Sequence, residues 1–161
     1  MKLSFGLTHG LVCVLVVAIV LTTSIGLVKA APDGGVVGDG TPGSCTEAAL
    51  NTALAGGGTV TFNCGGPKTI TLTSAKTIAQ DTIIMGGNVI TLTSNFATRL
   101  FSVNSGALLR LQDIVLDKAS VSGSDGGTIS NHGTLVLEHT TIQTGITDRG
   151  KSHGKTLALC L

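Results

Sequence analysis

Short apolar dyads, in which two apolar residues flank a third residue, recur between residues 60 and 137 of the chain. The dyads are Val60-x-Phe62, Ile70-x-Leu72, Ile90-x-Leu92, Leu109-x-Leu111 and Leu135-x-Leu137. Many neighbouring positions are Thr, and Gly, Asn, Asp and Ser cluster between the dyads. Alternation with a period of two residues is typical of β-strands with one face on a core and one in solvent. The pattern therefore predicts an all-β fold of short strands with the dyads facing inward.

The dyads also repeat at a longer period. The three apolar positions of Leu109-x-Leu111-x4-Leu116 match those of Leu135-x-Leu137-x4-Ile142, at one constant offset along the chain. Upstream of these segments, Phe101–Asn104 is similar to Ile129–Asn131 at nearly the same offset. A period drifting between about 22 and 28 residues with glycine turns indicates a β-solenoid. A β-sandwich would show turn signals about every 8–12 residues without this self-similarity. We therefore expect three to four coils over residues 45–143.

One short helix is predicted at residues 45–55. Ser44-x-x-Glu47 has the spacing of a capping box, and the Ala and Leu residues that follow are spaced as on one helix face. Gly56–Gly58 ends the run. We expect this helix to cover the open N-terminal end of the solenoid, because an uncovered strand edge invites aggregation. The alternative is an ordinary surface helix.

Residues 1–30 have the layout of a secretory signal peptide. The apolar run Leu11–Leu21 contains no charge, and Val28-x-Ala30 places small residues before a cleavage point after Ala30. An uncleaved N-terminal anchor is the alternative, because residues 11–28 just reach the length that crosses a bilayer. The pattern predicts a secreted or cell-surface protein whose mature chain has no membrane span. Residues 31–44 form a turn-rich leader.

Charge and cysteine content narrow the class further. Charged residues make up 12% of the chain, the formal net charge is +1, and no block of like charge occurs. This excludes a polybasic nucleic-acid binder. Cys13 lies in the signal segment, and Cys45 and Cys64 are expected to form a disulfide after export, because no further ligands accompany them for zinc. Cys160 is left unpaired.

Four segments resemble parts of a known family: Cys45–Leu50, Gly57–Gly65, Ala97–Gly106 and Gly126–Ile129. Together they are similar to bacterial exported right-handed parallel β-helix proteins, described as pectin lyase-like or polymorphic outer-membrane-protein-like. Phe101 and Asn104 match a Phe-x-x-Asn repeat element, and Gly126, Gly127 and Ile129 approximate a Gly-Gly-Ala-Ile element. The resemblance covers residues 36–143. It implies an outer-membrane-associated or secreted protein with a structural or adhesin-like role, and it names Phe101, Asn104, Gly126, Gly127, Ile129 and Asn131 as structural repeat residues.

In such a helix Asn104 and Asn131 would stack at a turn through their side-chain amides. The alternative is that Asn recurs because turns favour it. Residues 144–155 contain no dyad, and the apolar segment Leu157–Leu161 stops abruptly. This irregular tail, residues 144–161, indicates a truncated or frame-shifted product, or else a natural short variant.

Candidate chemistry is sparse. The offset that relates Leu109 to Leu135 also places Asp113 beside His139, which could serve as an acid–base pair or simply form a surface ion pair. Asp113 is expected to be the only acidic residue with a stacking partner. Asp113 and Asp117 could be taken as paired carboxylates, but no other carboxylate is expected to join them. Arg99 and Arg110 are expected to be solvated single residues. The chain contains no Trp or Tyr that could form a platform for a sugar ring. We therefore predict no catalytic site, metal or cofactor. The sequence does not name the partner, and a host-surface or cell-surface structure or a glycan is one candidate. A polysaccharide lyase or hydrolase on the same fold is the alternative, as is a non-functional fragment of a longer surface protein.

Overall fold

The computed structural model describes residues 34–122, 126–147 and 157–158. At 145–147 and 157–158 it describes the backbone alone. The predictions for the signal segment, for Cys160 and for most of the tail concern residues outside this described part. The elements are β1 Val36–Val37, α1 Glu47–Leu54, β2 Gly58–Phe62, β3 Lys68–Thr71, β4 Lys76–Ile78, β5 Thr82–Thr93, β6 Phe101–Val103, β7 Leu108–Asp117, β8 Ala119–Val121, β9 Ile129–Asn131, β10 Thr134–Glu138, β11 Thr141–Ile142, β12 Gly145–Thr147 and β13 Leu157–Ala158.

The strands stack in parallel as a β-solenoid of about four turns. We call these turns coil 1 (β2–β4), coil 2 (β5–β6), coil 3 (β7–β9) and coil 4 (β10–β12). The largest sheet has the strand order β1-β2-β5-β7-β10-β13, with β3 beside β5 and β11 beside β7. Strands β4-β6-β9 and β8-β12 form two smaller sheets. This confirms the predicted fold class, a mostly β chain with a single short helix among the described residues.

The offset between stacked residues sets the length of each coil. Within coils 1 to 4 it is shortest where Lys68 pairs with Ile90 and longest where Phe101 pairs with Ile129. The predicted offset between the segments that begin at Leu109 and Leu135 is confirmed, because these two residues are partners in the strand register. A parallel stack forces equivalent residues to lie side by side, which is why the repeat can be recognised in the sequence.

The dyads supply the core of the solenoid. Eight of the ten dyad residues are buried, and Phe62 and Leu137 are half-buried. Leu111 stacks between Ile84 and Leu137 of the neighbouring coils. Towards coil 4 the core becomes exposed, because Ile142, stacked on Leu116, is 45% exposed.

The predicted stacking of Asn104 on Asn131 is wrong by one residue. The strand register places Phe101 beside Ile129, so Asn131 lies beside Val103 rather than Asn104. The Oδ1 atom of Asn131 accepts a hydrogen bond of 3.0 Å from the backbone N–H of Gly133, two residues further on. This bond within the turn of Asn131 fits the alternative prediction, that Asn recurs because turns favour it.

The helix starts differently from the sequence prediction. It begins at Glu47, and its N-cap is Thr46, whose Oγ1 atom accepts a hydrogen bond of 3.2 Å from the Ala49 N–H. The capping box of Ser44 and Glu47 is therefore wrong. The Ser44 hydroxyl instead donates to the Thr41 carbonyl at 2.7 Å, within the preceding turn.

Glu47 fastens α1 to coil 1. Its carboxylate accepts hydrogen bonds from the backbone N–H of Thr73 at 2.9 Å, from the Thr73 hydroxyl at 2.8 Å and from Lys76 Nζ at 2.5 Å. Lys76 is only 6% exposed, because it occupies a position that stacks on buried Phe101 of the next coil. Burial opposes ionisation of the carboxyl, but the hydrogen bonds from Lys76 and Thr73 outweigh it and lower the pKa of Glu47 from 4.5 to about 2.

A lowered pKa makes the stability of the protein sensitive to acid. The stabilisation from Glu47 is fully present above pH 4.5, its ordinary pKa, and is lost as the pH falls towards 2. We expect Glu47→Gln to lower the free energy of unfolding near neutral pH by roughly 2 kcal/mol, and by much less at about pH 2. Urea unfolding of both proteins across this pH range measures the difference. Glu138→Gln, which alters a more exposed ion pair, is the matched control and should cost less than about 1 kcal/mol. A constant difference between wild type and Glu47→Gln at every pH would contradict the assignment.

A disulfide joins Cys45, at the start of the helix segment, to Cys64 of coil 1. The two Cα atoms are 5.6 Å apart and the residues are separated by 19 positions in the chain. Both residues are buried in the core. The predicted pairing is confirmed.

Each coil bends once within the part that contributes to the largest sheet, and we call this bend the first corner. It lies between β2 and β3 in coil 1, within β5 in coil 2 and within β7 in coil 3, and its length varies. Between equivalent paired residues it contains six residues in coil 1 (62–67), four in coil 2 (86–89) and one in coil 3 (Asp113). The strands on either side nevertheless remain paired. Corner length and strand register are thus independent in this fold.

Candidate functional site

A group of polar side chains lies on the largest sheet where coils 3 and 4 reach their first corners. It consists of Arg110, Gln112, Asp113, Glu138 and His139, and we call it the polar cluster. Gln112 pairs with Glu138 in the strand register, and Asp113 and His139 follow these two residues directly. The polar cluster therefore joins two neighbouring coils through equivalent positions.

Asp113 and His139 come together as the offset predicts. Asp113 Oδ1 lies 3.4 Å from His139 Nδ1, and the side chains are 33% and 72% exposed. At this separation and exposure the pair forms a surface ion pair whenever the imidazole is protonated. Such pairs contribute less than about 1 kcal/mol to stability. The geometry alone does not make the pair catalytic.

Glu138 is the residue that sequence reasoning missed. Its Oε1 atom lies 3.4 Å from Arg110 Nη1, and its Oε2 atom accepts a hydrogen bond from Gln112 Nε2. Glu138 also has a stacking partner, Gln112, so the expectation that Asp113 is the only acidic residue with one is wrong. Arg110 is paired with Glu138 rather than merely solvated. The signal was available, because the offset that links Asp113 to His139 also links Gln112 to Glu138.

The backbone explains why Asp and His occupy these corners. Asp113 has φ 51° and His139 has φ 45°, both in the left-handed region. Asn88, at the first corner of coil 2, has φ 62°. Asn, Asp and His are the non-glycine residues most enriched in this conformation. The corner geometry therefore accounts for the identity of both residues without any reference to chemistry.

Arg110 leaves one donor of the polar cluster unused. Among the described residues, its Nε atom is the buried side-chain polar atom that lacks a hydrogen-bond partner. An unsatisfied buried donor costs about 1–3 kcal/mol. The cluster therefore offers one N–H group that a water molecule or a ligand oxygen can satisfy.

The remaining predicted site residues lie elsewhere. Phe101, Ile129 and Asn131 belong to the sheet of β4, β6 and β9, not to the sheet that carries the polar cluster. Gly126 has φ 76° and precedes the buried Gly127 in the turn before β9. Within 34–122 and 126–144, no group of three or more His, Cys, Asp or Glu side chains could hold a metal ion.

No helix in the described part of the chain has the length and apolar character needed to cross a membrane. The resemblance to pectin lyase-like and polymorphic outer-membrane-protein-like chains rests on the short motifs in the sequence, and the solenoid architecture is the part of it that the structure shares. Comparison of the chain with protein-family models, with curated proteins and with solved structures found no match.

Proposed function

We propose that the protein is an exported β-solenoid with a structural or adhesin-like role, of the pectin lyase-like or polymorphic outer-membrane-protein-like kind. The observation that carries this proposal is the arrangement of the polar cluster. Its carboxylates are engaged by neighbours along the stacking direction, Glu138 with Arg110 and Asp113 with His139. Such cross-strand pairs stabilise a stack of coils, and the left-handed corners account for Asp113 and His139.

Two further observations support export to the cell surface or beyond. Residues 1–30 have the layout of a signal peptide, and Cys45 and Cys64 form a disulfide. Disulfides persist in oxidising compartments such as the periplasm and the cell exterior. The partner that fits this proposal is a host-surface or glycan ligand that the solenoid holds without cleaving it.

The second candidate function is a polysaccharide lyase or hydrolase. One specific observation favours it, namely that the polar cluster contains two carboxylates, Asp113 and Glu138, on neighbouring coils. Glycoside hydrolases use a pair of carboxyl groups, one as the acid and one as the nucleophile or base. The unsatisfied Nε of Arg110 could bind a substrate oxygen. This arrangement is the part of the molecule to test for chemistry.

We expect the purified protein to show no cleavage of pectate or alginate, with or without Ca²⁺. The reason is that both carboxylates of the polar cluster are held in ion pairs. In addition, no three His, Cys, Asp or Glu side chains in the described ranges lie together so that they could hold a metal ion. Release of reducing or unsaturated sugar ends measures cleavage, and retention of the protein on the same glycans immobilised on beads measures binding.

Three variants decide between the candidates if cleavage is seen. Asp113→Asn and His139→Asn keep residues that tolerate the left-handed corner, and Glu138→Gln keeps the side-chain shape. Cleavage that disappears in these variants would establish the enzyme and overturn the scaffold. Cleavage that survives all three would place the active site outside the polar cluster.

A further inference from the structure

A cleft separates the C-terminal half of α1 from β4 and from the connection that leads into β5. Its volume is about 280 Å³. It is remote in sequence from the polar cluster and shares no residue with it. We call this cavity the helix cleft. The residues that line it include Asn51, Leu54, Lys76, Thr77, Ile78 and Gln80.

The helix cleft has a mixed polar and apolar lining and no free charge at its floor. Ile78 is buried beneath it. Lys76 also lines it, but its Nζ atom already donates to Glu47 Oε1 at 2.5 Å and to Ser74 Oγ at 3.3 Å. Because the buried cation is paired within the protein, the floor offers no free charge to an anionic ligand.

The rim of the helix cleft carries uncommitted polar groups. The side chains of Asn51, Thr77 and Gln80 are exposed, and within the described ranges none of them makes a hydrogen bond to another protein group. Each amide presents two N–H donors and one carbonyl acceptor. Asn51 and Gln80 lie on the two sides of the cleft, one on α1 and the other after β4.

The walls of the helix cleft are held in place before any ligand arrives. The disulfide between Cys45 and Cys64 ties the start of the helix segment to coil 1, and Glu47 ties the helix to Thr73 and Lys76. A preformed site loses little conformational entropy on binding.

From these features we infer that the helix cleft binds a small uncharged ligand rich in hydroxyl or amide groups, of the size of a neutral monosaccharide. The volume lies just below the range of about 300–1,000 Å³ that is usual for drug-sized ligands. Amide groups on both walls reach hydroxyl or acetamido groups, and Leu54 and Ile78 cover an apolar ligand edge. The inference is independent of the role proposed for the polar cluster.

Titration of the ¹⁵N-labelled protein with N-acetylglucosamine, glucose and galacturonate tests the inference. We expect one or both neutral sugars to shift the amide signals of residues around the helix cleft, and galacturonate to bind no more tightly than they do. Asn51→Ala and Gln80→Ala should each weaken binding by about fivefold, the effect of one hydrogen bond. Asn51→Ala raises helix propensity, so a loss of binding there is not a loss of folding.

Two controls keep the outcome clear. Thr69→Ala changes an exposed residue of β3 outside the cleft and should leave binding unchanged. Ala79→Phe places a ring at the rim of the helix cleft and should abolish the shifts while thermal melting stays the same. The inference fails if neither neutral sugar shifts these signals, if galacturonate binds more tightly, or if Ala79→Phe and Thr69→Ala behave alike.

Discussion

Replacing Leu111 with Asp should leave the protein unfolded. Leu111 is fully buried and stacks between Ile84 and Leu137 in the centre of the solenoid. Truncating a buried Leu costs about 2–5 kcal/mol, and an unpaired carboxylate in the core adds several more. Because the whole stability of a domain is about 5–15 kcal/mol, the variant should show no cooperative transition in thermal melting followed by circular dichroism.

Val115→Asp is the matched control, because it introduces the same charge on the same strand. Val115 is half-buried and stacks on Thr91 and Thr141, which lie on the outward face. This variant should fold. Leu137→Asp should be less damaging than Leu111→Asp, because Leu137 is only half-buried. Wild-type melting of Leu111→Asp would mean that the dyads do not face the core.

Reduction of the disulfide should produce the second large effect. Closing the loop between Cys45 and Cys64, which are separated by 19 positions, contributes about 3 kcal/mol in the chain-entropy model. For a domain of this size such a loss lowers Tm by more than about 10 °C. Melting with and without reductant measures the shift.

The double variant Cys45→Ala/Cys64→Ala separates the disulfide from other effects of the reductant. It should melt at the lower temperature under both conditions, because the loop can no longer be closed. If reduction leaves the Tm of the wild type unchanged, the bond does not form in the purified protein and the predicted oxidising compartment loses its main support.

The fold was largely predictable because a parallel stack repeats the same requirements along the sequence. Leu109 and Leu135 lie side by side in space, so the two positions meet the same requirement for an apolar side chain. The register of Asn131 was not predictable in this way, since turn residues are chosen by local backbone geometry rather than by the coil above or below. The start of the helix was missed because Ser44 and Glu47 have capping-box spacing but are committed to other partners.

The candidate site was predictable only in part. The repeat offset brought Asp113 to His139, and the same offset applied one residue earlier, to Gln112, would have found Glu138. The left-handed conformation of Asp113 and His139 has no distinct mark in a single sequence, because Asp and His also occur for chemical reasons. The ion pair between Glu47 and Lys76 joins residues 29 positions apart in different kinds of element, so no repeat reveals it.

The variable first corner has a practical consequence for protein engineering. Six, four or one residues fill this corner while the flanking strands keep their partners, so insertions here need not disturb the sheet. Gly87 is the natural point of entry, because it is exposed, has φ 62° and has open space where a Cβ atom would lie. A foreign loop grafted after Gly87 would project from one edge of the stack. Grafts at successive corners would form a column of displayed peptides with a repeat close to the strand spacing of about 4.8 Å.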